Sequence, residues 1–173
     1  MEWTYESCQP DDTFNLGAMI GSLVEGGELI CLVGELGAGK TLLTQGIARG
    51  LDIQERVSSP TFTIVCEYEG RIALVHMDLY RLDEPIMLED IGFEEYLHHG
   101  AVTVIEWAEK AGPFLPAEHL LIQVVQSAAT DSEKRVMTLS ANDPKHQRIL
   151  KGLMGSAGIR NRHCDADGQH WAD

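Results

Sequence analysis

The chain has 173 residues, enough to bury one sizeable core, and a single domain is the expectation. Thirteen basic against 27 acidic residues give a formal net charge of −14, which opposes unaided, non-specific binding to nucleic acid. No apolar run of roughly 18 residues is present to form a membrane-spanning helix, and Met1-Glu2-Trp3-Thr4-Tyr5-Glu6 lacks the basic start and apolar stretch of a secretion signal. Four cysteines (Cys8, Cys31, Cys66, Cys164) show no C-x-x-C pairing, and Cys31 and Cys66 lie in apolar runs as small core residues. The expected setting is a reducing cytoplasm.

In chain order, residues 2–7 alternate as a strand does. Pro10-Asp11-Asp12-Thr13 starts a helix whose apolar face is Leu16, Ile20, Leu23 and Val24, closed by Gly26-Gly27. Glu28 to Val33 reads as a buried strand. A helix carrying Leu43, Ile47 and Leu51 follows, with Gly50 near its stop. After the polar stretch 52–60, Phe62–Tyr68 and Ile72–Met77 form an antiparallel hairpin about Glu69-Gly70. The segment 83–97 suggests short helices, and Ala101–Ile105 another buried strand. Leu120–Val125 and Arg135–Leu139 are late strands, and Asn142-Asp143-Pro144 caps a last helix to about Met154. The expected fold is α/β, a P-loop NTPase-like three-layer sandwich with a mostly parallel core sheet and an antiparallel extension. Its domain spans 1–155, leaving 156–173 as a disordered tail.

Between the second strand and second helix stands Gly34-Glu35-Leu36-Gly37-Ala38-Gly39-Lys40-Thr41, a match to G-x-x-x-x-G-K-[ST] in its required strand–loop–helix context. The glycines let the backbone wrap closely around phosphate oxygens, and the following helix offers its N-terminus to the same charge. Lys40 is the point charge for the β- and γ-phosphates, and the Thr41 hydroxyl is a magnesium ligand. Residues 35–42, from Glu35 to Leu42, are the expected nucleotide cradle. ATP and Mg2+ are the expected ligands.

Hydrolysis also needs carboxylates near the metal and the attacking water. Asp78 and Glu106 each end an apolar strand, where ligands collect in an open α/β sheet. Either could instead cap a following helix. Ser59-Pro60-Thr61 lies in the interval where switch-type hydrolases keep a γ-phosphate sensor, with Thr61 as the natural one. Trp107 could stack on a purine or pack in the core. His76 and Tyr80 flank Asp78 at two-residue intervals and so share a strand face with it, while Arg81 reads as a salt-bridge partner more than as a source of charge for phosphoryl transfer.

Charge is uneven. Asp83, Glu84, Glu89, Asp90, Glu94 and Glu95 cluster without a lysine or arginine, and Lys145, Arg148 and Lys151 share one helical face. They are two solvated faces or two partner-docking surfaces. His163, Cys164 and His170 fit no standard metal site.

Taken in order, G-E-L-G-A-G-K-T (34–41), S-P-T-F (59–62), H-M-D-L-Y-R-L (76–82), G-F-E-E-Y-L (92–97) and I-E-W-A-E (105–109) resemble the bacterial TsaE family over about residues 1–155. The resemblance implies a small ATPase required for threonylcarbamoyl modification of adenosine 37 in certain tRNAs. It implies weak hydrolysis alone and action on the TsaB–TsaD complex, which meets the tRNA and is reset between turnovers. On this chain it implies Lys40 and Thr41 at phosphate and magnesium, and Glu106 as metal ligand. Asp78 would assist metal or water, Thr61 would lie in the switch loop, and Trp107 near the base. Leu42 departs from the pattern, since many relatives carry a second hydroxyl there. Two other readings stand beside this one: a nucleotide-dependent binding switch, and a small-molecule kinase. The kinase would need an arginine-rich lid, where this chain has the acidic 83–95 segment.

Overall fold

A computed structural model of the chain describes residues 1–82, 85, 87–97, 100–127 and 133–156. Asp83, Glu84 and the tail with His163, Cys164 and His170 lie outside the described residues. The described strands form one seven-stranded sheet: β1 (Glu2–Ser7), β2 (Leu29–Val33), β3 (Val65–Tyr68), β4 (Leu74–Asp78), β5 (Val102–Glu106), β6 (Leu120–Gln126) and β7 (Arg135–Ala141). Their spatial order is β1-β7-β6-β2-β5-β4-β3. The centre, β6-β2-β5-β4, is parallel, and the antiparallel extension lies at both edges, β7 and β1 on one side and β3 on the other.

The central strands are apolar on both faces, as a strand covered from two sides must be. Ile30 and Leu32 of β2 pack with Leu16, Ile20, Leu43, Ile47 and Ile149, from α1 (Pro10–Leu23), α2 (Lys40–Gly50) and α4 (Pro144–Gly155). Leu29 and Cys31 face the other way, toward Val75, Met77, Leu88, Phe93 and Ala111. That second layer is built from α3 (Met87–Asp90) and the 3-10 segments Phe93–Leu97 and Ala108–Phe114. Burial pushes the Cys31 thiol up to about 12, so it is an inert core residue. Cys66, expected beside it in the core, is only half-buried on the edge strand β3.

Helices α1 and α2 cross with their backbones in contact. A Cβ on Gly17 would lie 2.3 Å from the Leu43 carbonyl oxygen, and one on Gly46 would lie 2.1 Å from that of Phe14. Gly21 and Gly50 meet Ile47 and Ala18 equally closely. Only glycine fits at such a crossing, so Gly50 both ends α2 and seats it.

Two elements differ from the sequence expectation. The strand read from Phe62 begins only at Val65, because Thr61–Thr63 form a turn in which Ile64 N–H donates to the Pro60 carbonyl at 2.6 Å. Ile64 takes φ 68, rare for a β-branched residue, and its carbonyl accepts from Asp78 N–H at 2.9 Å. The basic face of α4 is also largely committed within the molecule. Arg148 pairs with Glu25 and with buried Glu28, and Lys145 donates to the Gly27 carbonyl. It helps hold α4 against the chain entering β2, while Lys151 stays exposed. Among the described residues no helix is long and apolar enough to cross a membrane.

Candidate functional site

The loop between β2 and α2 depends on its glycines. Gly39 caps α2 with φ 106, a left-handed conformation that a side chain would strain, and a Cβ on Gly34 would lie 2.3 Å from the Val124 carbonyl oxygen. The loop therefore turns tightly off the sheet and aims the first turn of α2 back over the strand ends. Glu35, Leu36 and Gly37 form the exposed lip, Leu36 being 75% exposed, while Ala38 and Lys40 are buried and Thr41 and Leu42 half-buried.

Lys40 folds back within this cradle. Its Nζ donates to the carbonyls of Gly34 at 2.6 Å and Glu35 at 2.9 Å. The same ammonium lies 3.8 Å from the centroid of the Trp107 ring. Burial lowers the Lys40 pKa below the usual lysine range, opposed by the charges of Glu106, Glu109 and Asp78. Trp107 reaches this position through a left-handed backbone, φ 59, directly after β5 ends. It is half-buried and packs on Tyr80 with centroids 5.1 Å apart. Of the two positions open to Trp107 from sequence, the structure shows packing against the second core layer, with the ring also covering the loop lysine.

The parallel register sets Asp78 beside Glu106. Both carboxylates are buried, and they have different partners. Glu106 Oε2 accepts from Thr41 Oγ1 at 2.9 Å, and Oε1 lies 2.8 Å from His76 Nε2 and 3.4 Å from Thr44 Oγ1. Asp78 Oδ2 accepts from Ser59 Oγ and, at 2.7 Å, from Thr61 Oγ1, while Oδ1 accepts from Tyr80 N–H at 2.9 Å. Pro60 between the two hydroxyl residues is buried. Tyr80 is past the end of β4 and does not continue the face shared by His76 and Asp78. Arg81 lies 5.2 Å over the ring of Phe62, itself 86% exposed at the turn.

Among the described residues no three His, Cys, Asp or Glu side chains converge as a closed metal cage. Thr41 and Glu106 offer two hard oxygens 2.9 Å apart. That donor set suits a cation that keeps water and shares phosphate oxygens, as Mg2+ does.

A family model described as "Threonylcarbamoyl adenosine biosynthesis protein TsaE" matches residues 7–136, and so takes in the loop, Ser59–Thr61, Asp78, Glu106 and Trp107. The chain belongs to the TsaE family. A Bacillus subtilis protein named "tRNA threonylcarbamoyladenosine biosynthesis protein TsaE" is 36% identical over 158 residues, covering 91% of this chain and 97% of its own. A Treponema pallidum protein of the same name is 46% identical over 105 residues, covering 61% and 78%. The fold is similar to the crystal structure titled "Bacillus subtilus YdiB", with a TM-score of 0.76 at 30% identity over 87% of this chain and 93% of that one.

Two TsaE-site residues went unassigned from sequence. Thr44, one helical turn beyond Lys40, reaches Glu106 as well as the Lys40 carbonyl. Arg135 of β7 donates from Nε to the Ala38 carbonyl at 2.9 Å and from Nη2 to the Gly37 carbonyl at 3.4 Å. Helical spacing could have flagged Thr44. No local signal points to Arg135, which lies almost a hundred residues from the loop.

Proposed function

We propose that this chain is a Mg2+-dependent ATPase of tRNA threonylcarbamoyladenosine formation, acting on the TsaB–TsaD complex and meeting tRNA through it. The observation that carries the reading is the Thr41–Glu106 hydrogen bond at the mouth of the phosphate loop, with Asp78 next to it on β4. Together with the family, this gives a phosphate cradle, a metal-side pair of oxygens and a second carboxylate at one strand edge.

The residues divide the work as follows. The backbone of residues 35–42 receives the phosphates, and Lys40 leaves the carbonyls of Gly34 and Glu35 to meet them. Magnesium, when bound, neutralises charge on the phosphate oxygens. Thr41 and Glu106 hold it, and Asp78 orients the attacking water. Ser59 and Thr61 exchange Asp78 for the nucleotide's terminal group, which makes the Ser59–Thr61 turn sensitive to nucleotide state. Trp107 moves off Lys40 and lines the nucleotide.

The test is ATP hydrolysis by the purified chain with Mg2+, alone and with purified TsaB–TsaD, using Lys40→Ala as blank. Slow hydrolysis alone, raised by the complex and abolished in the blank, is expected. A flat response despite ATP binding would overturn the accessory-ATPase reading. The Asp78 clamp by Ser59 and Thr61 favours a second reading, a binding switch whose ATP-bound shape is the output. Full rescue of tRNA modification by a hydrolysis-dead Asp78→Ala chain that still binds ATP would select it.

A further inference from the structure

His76 is fully buried on β4 and takes no part in the roles assigned above. It stands opposite Val104 in the parallel register, so its ring lies one pleat behind Asp78 and Glu106. Nε2 is 2.8 Å from Glu106 Oε1, and Nδ1 has no hydrogen-bond partner among the described residues. A carboxylate oxygen accepts, so Nε2 carries the proton that it donates to Glu106.

The two oxygens of Glu106 are thereby made unequal. Oε1 is tied inward by His76, with Thr44 at 3.4 Å, while Oε2 faces the Thr41 hydroxyl. Carboxylate torsions are otherwise broad, so an untied glutamate samples many orientations about its last bond. Outer partners that hold a metal-side group in one orientation act on metal affinity through that group alone.

We propose that His76 is a positioning residue for Glu106, holding Oε1 so that Oε2 and the Thr41 hydroxyl together face a nucleotide-bound divalent cation. This rests on the reading of Glu106 as the metal-side carboxylate. Lys40 and the loop backbone make no hydrogen bond to His76 among the described residues. Its loss therefore weakens the metal-dependent part of nucleotide binding and spares the metal-independent part.

Equilibrium binding of a fluorescent, slowly hydrolysed ATP analogue to the full chain, in Mg2+ and in EDTA, separates these parts. For His76→Leu the gain in affinity on adding Mg2+ should shrink by roughly tenfold, the lower end for losing an outer partner of a metal ligand, with affinity in EDTA unchanged. His76→Gln, whose amide nitrogen reaches the position of Nε2, should restore most of the gain. His76→Asn, whose amide reaches only the position of Nδ1, should not. A wild-type gain in His76→Leu, equal losses with and without Mg2+, or equal behaviour of the Gln and Asn variants would each overturn the inference. If Leu does not fold, the Gln and Asn pair decides alone. Absence of any Mg2+ gain in the wild-type chain would instead sink the metal-side reading of Glu106.

Discussion

Lys40, donating to two backbone carbonyls and lying under Trp107, must exchange those partners for any polyanion it meets. Trp107 is therefore a reporter of loading: its emission should shift on adding ATP in a chain whose Trp3 and Trp171 are phenylalanine. The shift should vanish in Lys40→Ala, and an unchanged spectrum with ATP bound would show that the indole stays in place. Arg135 acts one layer out, on the carbonyls of Gly37 and Ala38. Arg135→Met should weaken ATP binding by roughly tenfold, the scale of one charge-assisted hydrogen bond. Wild-type affinity by titration would deny it a share in shaping the loop. Asp78→Asn should keep ATP binding and lower turnover by about a hundredfold or more, as for loss of a group handling the water's proton. The sequence marked Lys40, Asp78 and Glu106 by strand end and motif, but not which oxygen of each carboxylate meets which hydroxyl. That depends on register between strands, which no single segment carries.

At the level of elements, the crossing of α1 and α2 is set by Gly17, Gly21, Gly46 and Gly50. Gly46→Ala places a methyl against the Phe14 carbonyl, and overpacking of this kind costs about 1–3 kcal/mol or more. A urea-midpoint shift of that size is expected, and none would mean that the helices part freely. Because α2 carries Lys40 and Thr41, the same variant should also weaken ATP binding. Helix α4 is fixed through its cap. Asp143 Oδ1 accepts from His146 N–H at 3.1 Å and Oδ2 from His146 Nδ1 at 2.8 Å, while Nε2 of that ring accepts from Leu29 N–H at 3.1 Å. Burial works to raise the Asp143 pKa, but the hydrogen bonds from His146 leave it below the ordinary aspartate value of 3.8. The folded state thus binds this proton less readily than the unfolded chain. Its stabilisation is complete above about pH 4, the ordinary range, and is lost as pH falls through the folded value. Asp143→Ala should be less stable at neutral pH by about 1 kcal/mol, with a shallower acid limb in urea titrations. An unchanged limb would show that the cap carries no such linkage. The sequence announced this cap by its Asn-Asp-Pro start, yet the ring's reach to β2 became visible only with the helix in place.

For the molecule as a whole, the parallel centre of the sheet gathers the loop after β2, Asp78 at the end of β4 and Glu106 at the end of β5 at one edge. The TsaE family makes the same segments recognisable in order. Local chemistry explains how much could be read from the chain by itself. The phosphate loop is eight contiguous residues, apolar runs mark the central strands, and turn residues mark most boundaries, so each is determined by neighbours in sequence. The exceptions are informative. The strand expected at Phe62 gives way to a turn because Thr61 and Ile64 answer to Asp78 on a neighbouring strand. The basic stripe on α4 left open a solvated face or a surface for partners, and Glu25 and Glu28 before β2 engage its Arg148. The sequence by itself determined the glycine loop between β2 and α2, the fold class and which carboxylates end strands, since these follow from short-range pattern. Only the tertiary structure decided that His76 and Thr44 meet Glu106, that Arg135 reaches the loop carbonyls, and that four glycines seat α2. Those contacts join residues far apart in the chain, and the energy that fixes them appears only when the layers close.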